Sequence, residues 1–434
     1  MWKGFFYMDR TLQPAKHLRG EITVPGDKSI SHRAILLGSL AEGTTEIAGF
    51  LDAADPRSTL QCVREMGIET QLSGGVLRIF GKGLHGYRAP AAPLDAGNSG
   101  TTIRLLSGIL AGQKFATVIS GDKYLVRRPM KRIIDPLTEM GANIVGTDKF
   151  TAPLKVFPPE KLHGITYELP IPGAKVKSAI LLAGLFAEGT TTIEENHQSR
   201  DHTERMLGVS TTVSKEKSSV SISGGMRIPA GRFLIPGDPS SAAFFIVAVI
   251  ISKNAEVLIT DVGLNPTRTG FIEVLRSMGG NIRTENIRKI GGELIGDIVA
   301  KNSSLSFSTL LKGAIIPNII DEIPILAVAA AFGKGRFEVH DAFELRNKES
   351  DRIGVVCENL ASMGVDVAET EDGFAFDSKS NLIPAAFDSF GDHRVAMAFG
   401  VAATALNGES TMKEAECVDI SFPSFWDTLQ SLSR

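Results

Sequence analysis

One pattern recurs six times along this 434-residue chain: VPGDKSISHRAILLGSLAEGTTEI, DAGNSGTTIRLLSGILAGQKFATVI, IPGAKVKSAILLAGLFAEGTTTI, IPGDPSSAAFFIVAVIISKNAEVLI, IIDEIPILAVAAAFGKGRFEVHD and SFGDHRVAMAFGVAATALNGESTM. Every copy runs from a turn rich in Gly, Asp or Pro into a helix of small apolar residues. A Gly or charged break follows, then a β-branched strand. Successive copies start roughly 64 to 84 residues apart, too far for the usual solenoid periods. Each copy is therefore a unit of several elements, and the fold must be an assembly of such units.

A second echo follows most copies: LQCVREMGIETQ, IIDPLTEMGANIV, FIEVLRSMGGNIR and VVCENLASMGVDVA. It predicts an amphipathic helix, a glycine C-cap and a strand. The whole unit reads as β-α-β-α-β-β. Its first helix is apolar all round and belongs inside, whereas the second has a charged face and belongs outside. Three units around buried helices make one α/β domain and six make two, in keeping with a chain too long for one ordinary core. PGDKS at 25–29 and PGDPSS at 236–241 are the predicted crossings. Residues 27–238 then form one domain of three units, and residues 1–26 join residues 239–434 in the other.

Composition narrows the function. Lys and Arg number 46 against 49 Asp and Glu, a net charge of −3, which argues against a general nucleic-acid binder. With only 4 Tyr the chain offers few platforms for stacking bases. Cys62, Cys357 and Cys417 are scattered without CxxC spacing. Neither a disulfide framework nor a cysteine metal site is expected, and a reducing cytoplasm suits them. The opening MWKGFFYMDRTLQPAKH has no apolar core long enough for a signal peptide, and Met8 is a second candidate start. No later segment reads as membrane-spanning.

The chemistry gathers where helices begin. The first copy carries Lys28, Ser29 and Arg33; the second carries Asn98, Ser99 and Gly100, followed by Arg127 and Arg128. The third carries Lys175, then Ser199, Arg200 and Arg205. The fifth gives Asp321 and Glu322, then NKESDR with Lys348, Glu349 and Arg352, and the last gives His393 and Arg394. Taken singly, each has an ordinary explanation. Lys348 and Arg352 at i,i+4 suit a solvated helix face. RRPM reads as a turn with Pro129 at N1. The Asp of DHTERM and of GDHR suits an N-cap. His32 and His393 read as hydrogen-bonding supports, since no His, Asp or Glu spacing resembles a metal site. GKGLHG at 81–86 fits GxGxxG, but YRAPAAP follows where a phosphate-binding helix should begin.

Taken as a set, these residues call for a ligand. Cations at a helix N-terminus oppose its dipole. An anion there would meet free N–H groups and full charges together. At roughly 4 Å and an effective dielectric of about 20, each unit-charge pair is worth about 4 kcal/mol before desolvation. That scale suits a small substrate carrying phosphate and carboxylate groups.

PGDKSISHRA, GNSGTTIRLL, RRPM, SRDHTERM, KESDR and DHRVAMAF make the chain resemble, over almost its whole length, the enolpyruvyl transferase family of the 5-enolpyruvylshikimate-3-phosphate (EPSP) synthases. The resemblance implies two domains of three βαβαββ units each, an inverse α/β barrel. Two crossing strands would hinge them, with the active site in the cleft between. It implies transfer of the enolpyruvyl group of phosphoenolpyruvate to the 5-hydroxyl of shikimate 3-phosphate by addition and elimination. No metal or organic cofactor is implied, and glyphosate would compete at the phosphoenolpyruvate site.

By position, Lys28, Ser29, Arg33, Gly173, Ala174, Lys175, Arg200, Asp321 and Lys348 correspond to shikimate 3-phosphate contacts. Lys28, Asn98, Gly100, Arg128, Arg352 and Arg394 correspond to the phosphoenolpyruvate site. Lys28, Asp321 and Glu349 correspond to the catalytic groups. The resemblance further implies a cytoplasmic monomer acting on these two small molecules, with no nucleic-acid or membrane partner. One departure stands out. The third copy reads PGAKVKSA where the family usually has SAQVKSA, so Gly173 and Lys175 replace a serine and a glutamine. Two rivals are a transferase with a different acceptor, such as the UDP-N-acetylglucosamine enzyme with its loop cysteine, and a non-catalytic binding relative. Cys62 and Cys357 fall in outer-helix patterns and Cys417 follows the last strand, which weighs against the first, and the presence of Asp321 and Glu349 weighs against the second.

Overall fold

A computed structural model describes residues 9–214 and 217–433, so Met1 and Met8 lie outside the described residues. The chain divides into two compact units. An inserted unit comprises Gly26–Pro236 with Lys289–Glu293. A flanking unit takes the residues up to Pro25, Gly237–Arg288 and the chain from Leu294 onward. Each has its own hydrophobic core.

Six inner helices follow the six copies. Lys28–Leu40, Gly100–Leu110 and Ala174–Gly184 belong to the inserted unit. Pro239–Ile251, Ile323–Ala331 and His393–Ala405 belong to the flanking unit. Small side chains let them pack closely, and Pro239 through Ile250 is buried without interruption. Outer helices Ala54–Glu65, Lys131–Glu139, Gly270–Ser277 and Arg352–Ser362 each end on a buried methionine followed by glycine. Those glycines, Gly67, Gly141, Gly279 and Gly364, all take positive φ. This is the left-handed turn that the repeated Met-Gly predicted, and only glycine enters it without steric cost.

Among the described residues there are five four-stranded sheets and one of three strands. In each four-stranded sheet the unit's first two strands pair in parallel, and the second pairs antiparallel with the fourth. The chain ends of each unit are stitched into its sheets. Arg232–Leu234 supplies the first strand beside Glu42–Ala48, closing the inserted unit on itself. Arg19–Thr23 does the same beside Glu256–Gly263, and Arg10–Leu12 completes the last sheet beside Ser410–Lys413. The chain thus enters the inserted unit at Gly26 and leaves it at Pro236. Gly26 has no room for a side chain, since a Cβ would lie 1.9 Å from the Gly49 carbonyl oxygen.

The two cores differ in material. The inserted unit packs on Ile, Leu, Val and Ala, with Tyr87 as its buried aromatic. The flanking unit fills its centre with rings, including Phe244, Phe245, Phe337, Phe376, Phe387, Phe399 and Phe425. Phe425 meets Phe245 and Trp426 at centroid distances of 5.6 and 4.9 Å.

Candidate functional site

In the inserted unit, Asp27 caps the Lys28–Leu40 helix by accepting from the Ile30 amide at 2.9 Å. The next residue, Lys28, reaches Asp55 on the outer helix at 3.1 Å, and Ser29 is half-buried beside it. One turn on, Arg33 is 3% exposed. Its Nε donates to Thr203 and its NH2 to Ser178, both at 2.7 Å, and its NH1 to the Ser29 carbonyl at 3.0 Å. His32 is fully buried, its Nδ1 lying 2.7 Å from the Thr59 hydroxyl, which in turn lies 2.7 Å from Thr102. Burial, then Lys28, Arg33 and Lys175, push its pKa well below the ordinary value, so the ring is neutral. It supports three helices as a hydrogen-bonding wedge.

The second entrance is organised by Asn98. Its amide donates to Asp122 at 2.8 Å and its carbonyl accepts from Arg128 at 2.6 Å, so a residue of the Gly-rich turn fixes a guanidinium from RRPM. Arg128 is 5% exposed, whereas Arg127 lies in solvent. Gly100 opens the helix that Ser99 caps. A methyl there would stand 2.4 Å from Arg104 NH1 and 3.0 Å from Arg128 NH1. At the third entrance Gly173 occupies the N-cap with no side chain to offer, followed by Ala174 and half-buried Lys175. The Ala174 carbonyl accepts from Ser178 at 2.6 Å. Arg200 sits half-buried in the loop just before the His202–Leu207 helix.

The flanking unit carries acids among its cations. Asp321 Oδ1 lies 3.2 Å from Arg352 NH1 and 3.5 Å from Lys348 Nζ, and its carbonyl accepts from Arg394 at 3.1 Å. Arg352, 1% exposed, also donates to Asp392 at 2.7 Å and pairs with Glu349. Burial works against its charge, but Asp392, Glu349 and Asp321 overcome that and hold its pKa raised. Lys348 shows the opposite balance. Burial outweighs the attraction of Asp321 and, with Arg352 beside it, lowers the ammonium's pKa. Glu322 is buried against the Ser240 hydroxyl, which also accepts from Arg268 at 2.9 Å, and lies 3.7 Å from Arg394.

Hydrogen bonds thus tie Arg33 to Ser178 and Thr203, and Asn98 to Arg128, in the inserted unit, and gather Lys348, Arg352 and Arg394 on Asp321 in the flanking unit, whereas Arg127 stands apart in solvent. Three local expectations need correction. Lys348 and Arg352 do not line a solvated helix face, because Arg352 is the first residue of its helix and turns inward while Lys348 precedes it in extended backbone. Pro129 stands one residue before the N-cap Met130 rather than at N1. Asp201 occupies an N-cap position but spends its carboxylate on Arg205 at 2.8 Å. Asp392 does cap its helix, accepting from the Arg394 amide at 2.9 Å, and holds Arg352 as well. Sequence reasoning missed that second duty, and it missed Asp122, Lys177 and Glu195. The acid of GDHR was the one available signal, being a carboxylate beside an arginine that needed a partner.

Cys62 and Cys357 lie in outer helices and Cys417 in the short helix Ala415–Ile420. All three are buried, and burial pushes the Cys357 thiol up to about 12. Among the described residues no three His, Cys, Asp or Glu side chains are grouped to hold a metal ion.

A model of the family described as EPSP synthase (3-phosphoshikimate 1-carboxyvinyltransferase) matches residues 12–429. The chain is 47% identical over 430 residues to the 3-phosphoshikimate 1-carboxyvinyltransferase of Salinibacter ruber, covering 98% of this chain and 100% of that one. It is 46% identical to the enzyme of the same name from Brevibacillus brevis, covering 98% and 99% of the two chains. Among solved structures, EPSP synthase from Acinetobacter baumannii superposes with a TM-score of 0.85 at 43% identity, with 98% of each chain covered.

Proposed function

The chain belongs to the EPSP synthase family, and from that premise we propose how its residues divide the work of the family reaction. That reaction transfers the enolpyruvyl group of phosphoenolpyruvate to the 5-hydroxyl of shikimate 3-phosphate and releases phosphate, in the shikimate pathway. The buried thiols support this acceptor over the rival chemistry that uses a loop cysteine.

The inserted unit supplies the anion receptor. Lys28, Ser29, Arg33 and Arg200 take shikimate 3-phosphate, with the amides at Gly173 and Ala174 and the charge of Lys175 in place of the missing serine. Asn98, Gly100 and Arg128 take phosphoenolpyruvate, with Lys28 reaching both. In the flanking unit Arg352 and Arg394 complete the phosphoenolpyruvate contacts, while Asp321 and Lys348 hold the acceptor's hydroxyls.

Asp321 withdraws the 5-hydroxyl proton as that oxygen bonds to C2 of phosphoenolpyruvate, and Glu349 delivers a proton to the methylene carbon. The tetrahedral adduct then collapses. The C2–phosphate bond breaks, a methyl proton returns to Glu349, and the vinyl ether remains. Glu349 shares Arg352 with Asp392 and Asp321. A phosphoenolpyruvate oxygen that takes the same N–H groups would free Glu349 to carry a proton. Arg and Lys groups balance the charge developing on the departing phosphate.

The observation that carries this reading is the Asp321 carboxylate set among Lys348, Arg352 and Arg394. An acid so placed is held ready beside cations that an anionic substrate needs. A phosphate-release assay with both substrates tests it. Turnover that requires both and is lost in Asp321→Asn supports the reading, whereas wild-type turnover in that variant refutes it. The reading carries with it a cytoplasmic monomer working without nucleic acid, which light scattering of the purified chain checks for oligomeric state.

A further inference from the structure

Lys177 and Glu195 have no part in that division of labour, yet with Glu204 they form a fully buried ion-pair cluster in the inserted unit. Lys177 is the fourth residue of the Ala174–Gly184 helix, and Glu195 ends the strand Thr190–Glu195. Their side chains are 1% and 2% exposed, with Nζ 2.7 Å from Oε2. Lys177 also lies 2.8 Å from Glu204 and donates to the Ser199 carbonyl at 3.3 Å. Burial opposes the ammonium's charge, but Glu204 and Glu195 overcome it and raise its pKa.

Glu195 does more than neutralise the lysine. It accepts from the Gly173 amide at 3.3 Å, from the Ser199 amide at 3.2 Å and from the Ser199 hydroxyl at 2.5 Å. One carboxylate therefore ties the residue that opens a helix to the loop that carries Arg200. Gly173 has no side chain to cap the helix itself, so its amide contact with Glu195 fixes this corner. An ion pair at this depth returns little net stability, because desolvation offsets the Coulomb gain. What it provides is orientation.

We propose that Lys177 and Glu195 are positioning residues for the phosphate of shikimate 3-phosphate, holding the 173–175 helix start and the Ser199–Arg200 loop in register so that both engage one anion. This rests on the assignment of the inserted unit's third entrance to that substrate.

The test is steady-state kinetics of Glu195→Ala and Glu195→Gln, varying each substrate in turn. Glu195→Ala should raise KM for shikimate 3-phosphate about 30-fold or more, while KM for phosphoenolpyruvate stays within about 3-fold and kcat at saturation within about 10-fold. If the alanine variant does not fold, isosteric Glu195→Gln serves, with a rise of about 3- to 10-fold confined to the same KM. Hydrogen exchange at the Gly173 and Ser199 amides should accelerate in either variant without any substrate. Equal changes in both KM values, or a lowered melting temperature with both KM values and both exchange rates unchanged, would overturn the proposal. A wild-type protein that does not turn over shikimate 3-phosphate would instead sink the reading on which it rests.

Discussion

Arg33 of the inserted unit gives its guanidinium protons to Thr203, Ser178 and a backbone carbonyl. Arg352 of the flanking unit gives its own to Asp392, Glu349 and Asp321. Both arginines are buried, Arg33 in the second turn of an inner helix and Arg352 at the start of an outer one, and the partners differ. Hydroxyls orient a cation without adding a counter-charge of their own. Carboxylates cancel its charge, and a substrate that competes for the same N–H groups changes the state of the acids. Under the proposed function, the same scaffold, used twice, serves as a receptor in one unit and as proton-transfer equipment in the other.

The largest effects should come from the acids. Asp321→Asn and Glu349→Gln should each lower kcat by about 10²–10⁴-fold with substrate binding largely kept. Comparable losses from neutral changes in the inserted unit would break the contrast. Next, Arg128→Ala and Arg394→Ala should each weaken phosphoenolpyruvate binding by roughly 1.5–3 kcal/mol. They should part company in melting temperature. Arg128 donates to the neutral Asn98, whereas removal of Arg394 takes a cation from both Asp321 and buried Glu322. Only the second variant should melt markedly earlier.

Smaller again is Gly100→Ala. Its methyl would displace the ends of Arg104 and Arg128, so KM for phosphoenolpyruvate and the inhibition constant of glyphosate should both rise, by about tenfold for one lost charged hydrogen bond. Glyphosate inhibition that ignores phosphoenolpyruvate concentration would contradict the shared site. The mildest is a pH effect. The folded protein keeps His32 neutral, while the unfolded chain binds a proton below about pH 6.5. Stability therefore falls as pH drops below that value, by up to about 1.4 kcal/mol per unit from this group. His32→Gln should flatten the fall of the melting temperature between about pH 6.5 and 5. An unchanged slope would mean that His32 is protonated in the fold.

The repeat made the architecture legible, because period, burial and the Met-Gly caps are local properties of the chain. The helix beginnings where the candidate residues gather were legible too, since they announce themselves through Gly, Asp and Ser. Partnership was not. Nothing in NKESDR says that Arg352 turns inward, because its counter-charge Asp392 lies 40 residues on. Glu195 was equally silent, as a glutamate at a strand end carries no local sign that two loops will hang from it. The resemblance to the EPSP synthases filled in the substrates, whereas residue chemistry alone reached only an anion carrying phosphate and carboxylate.

The division between receptor and proton-transfer equipment is tested most directly by calorimetric titration of shikimate 3-phosphate, alone, into Arg200→Ala and Glu349→Gln. The account predicts affinity weakened about tenfold or more in Arg200→Ala and kept within about 3-fold in Glu349→Gln. The reverse order, or equal losses in both, would contradict it.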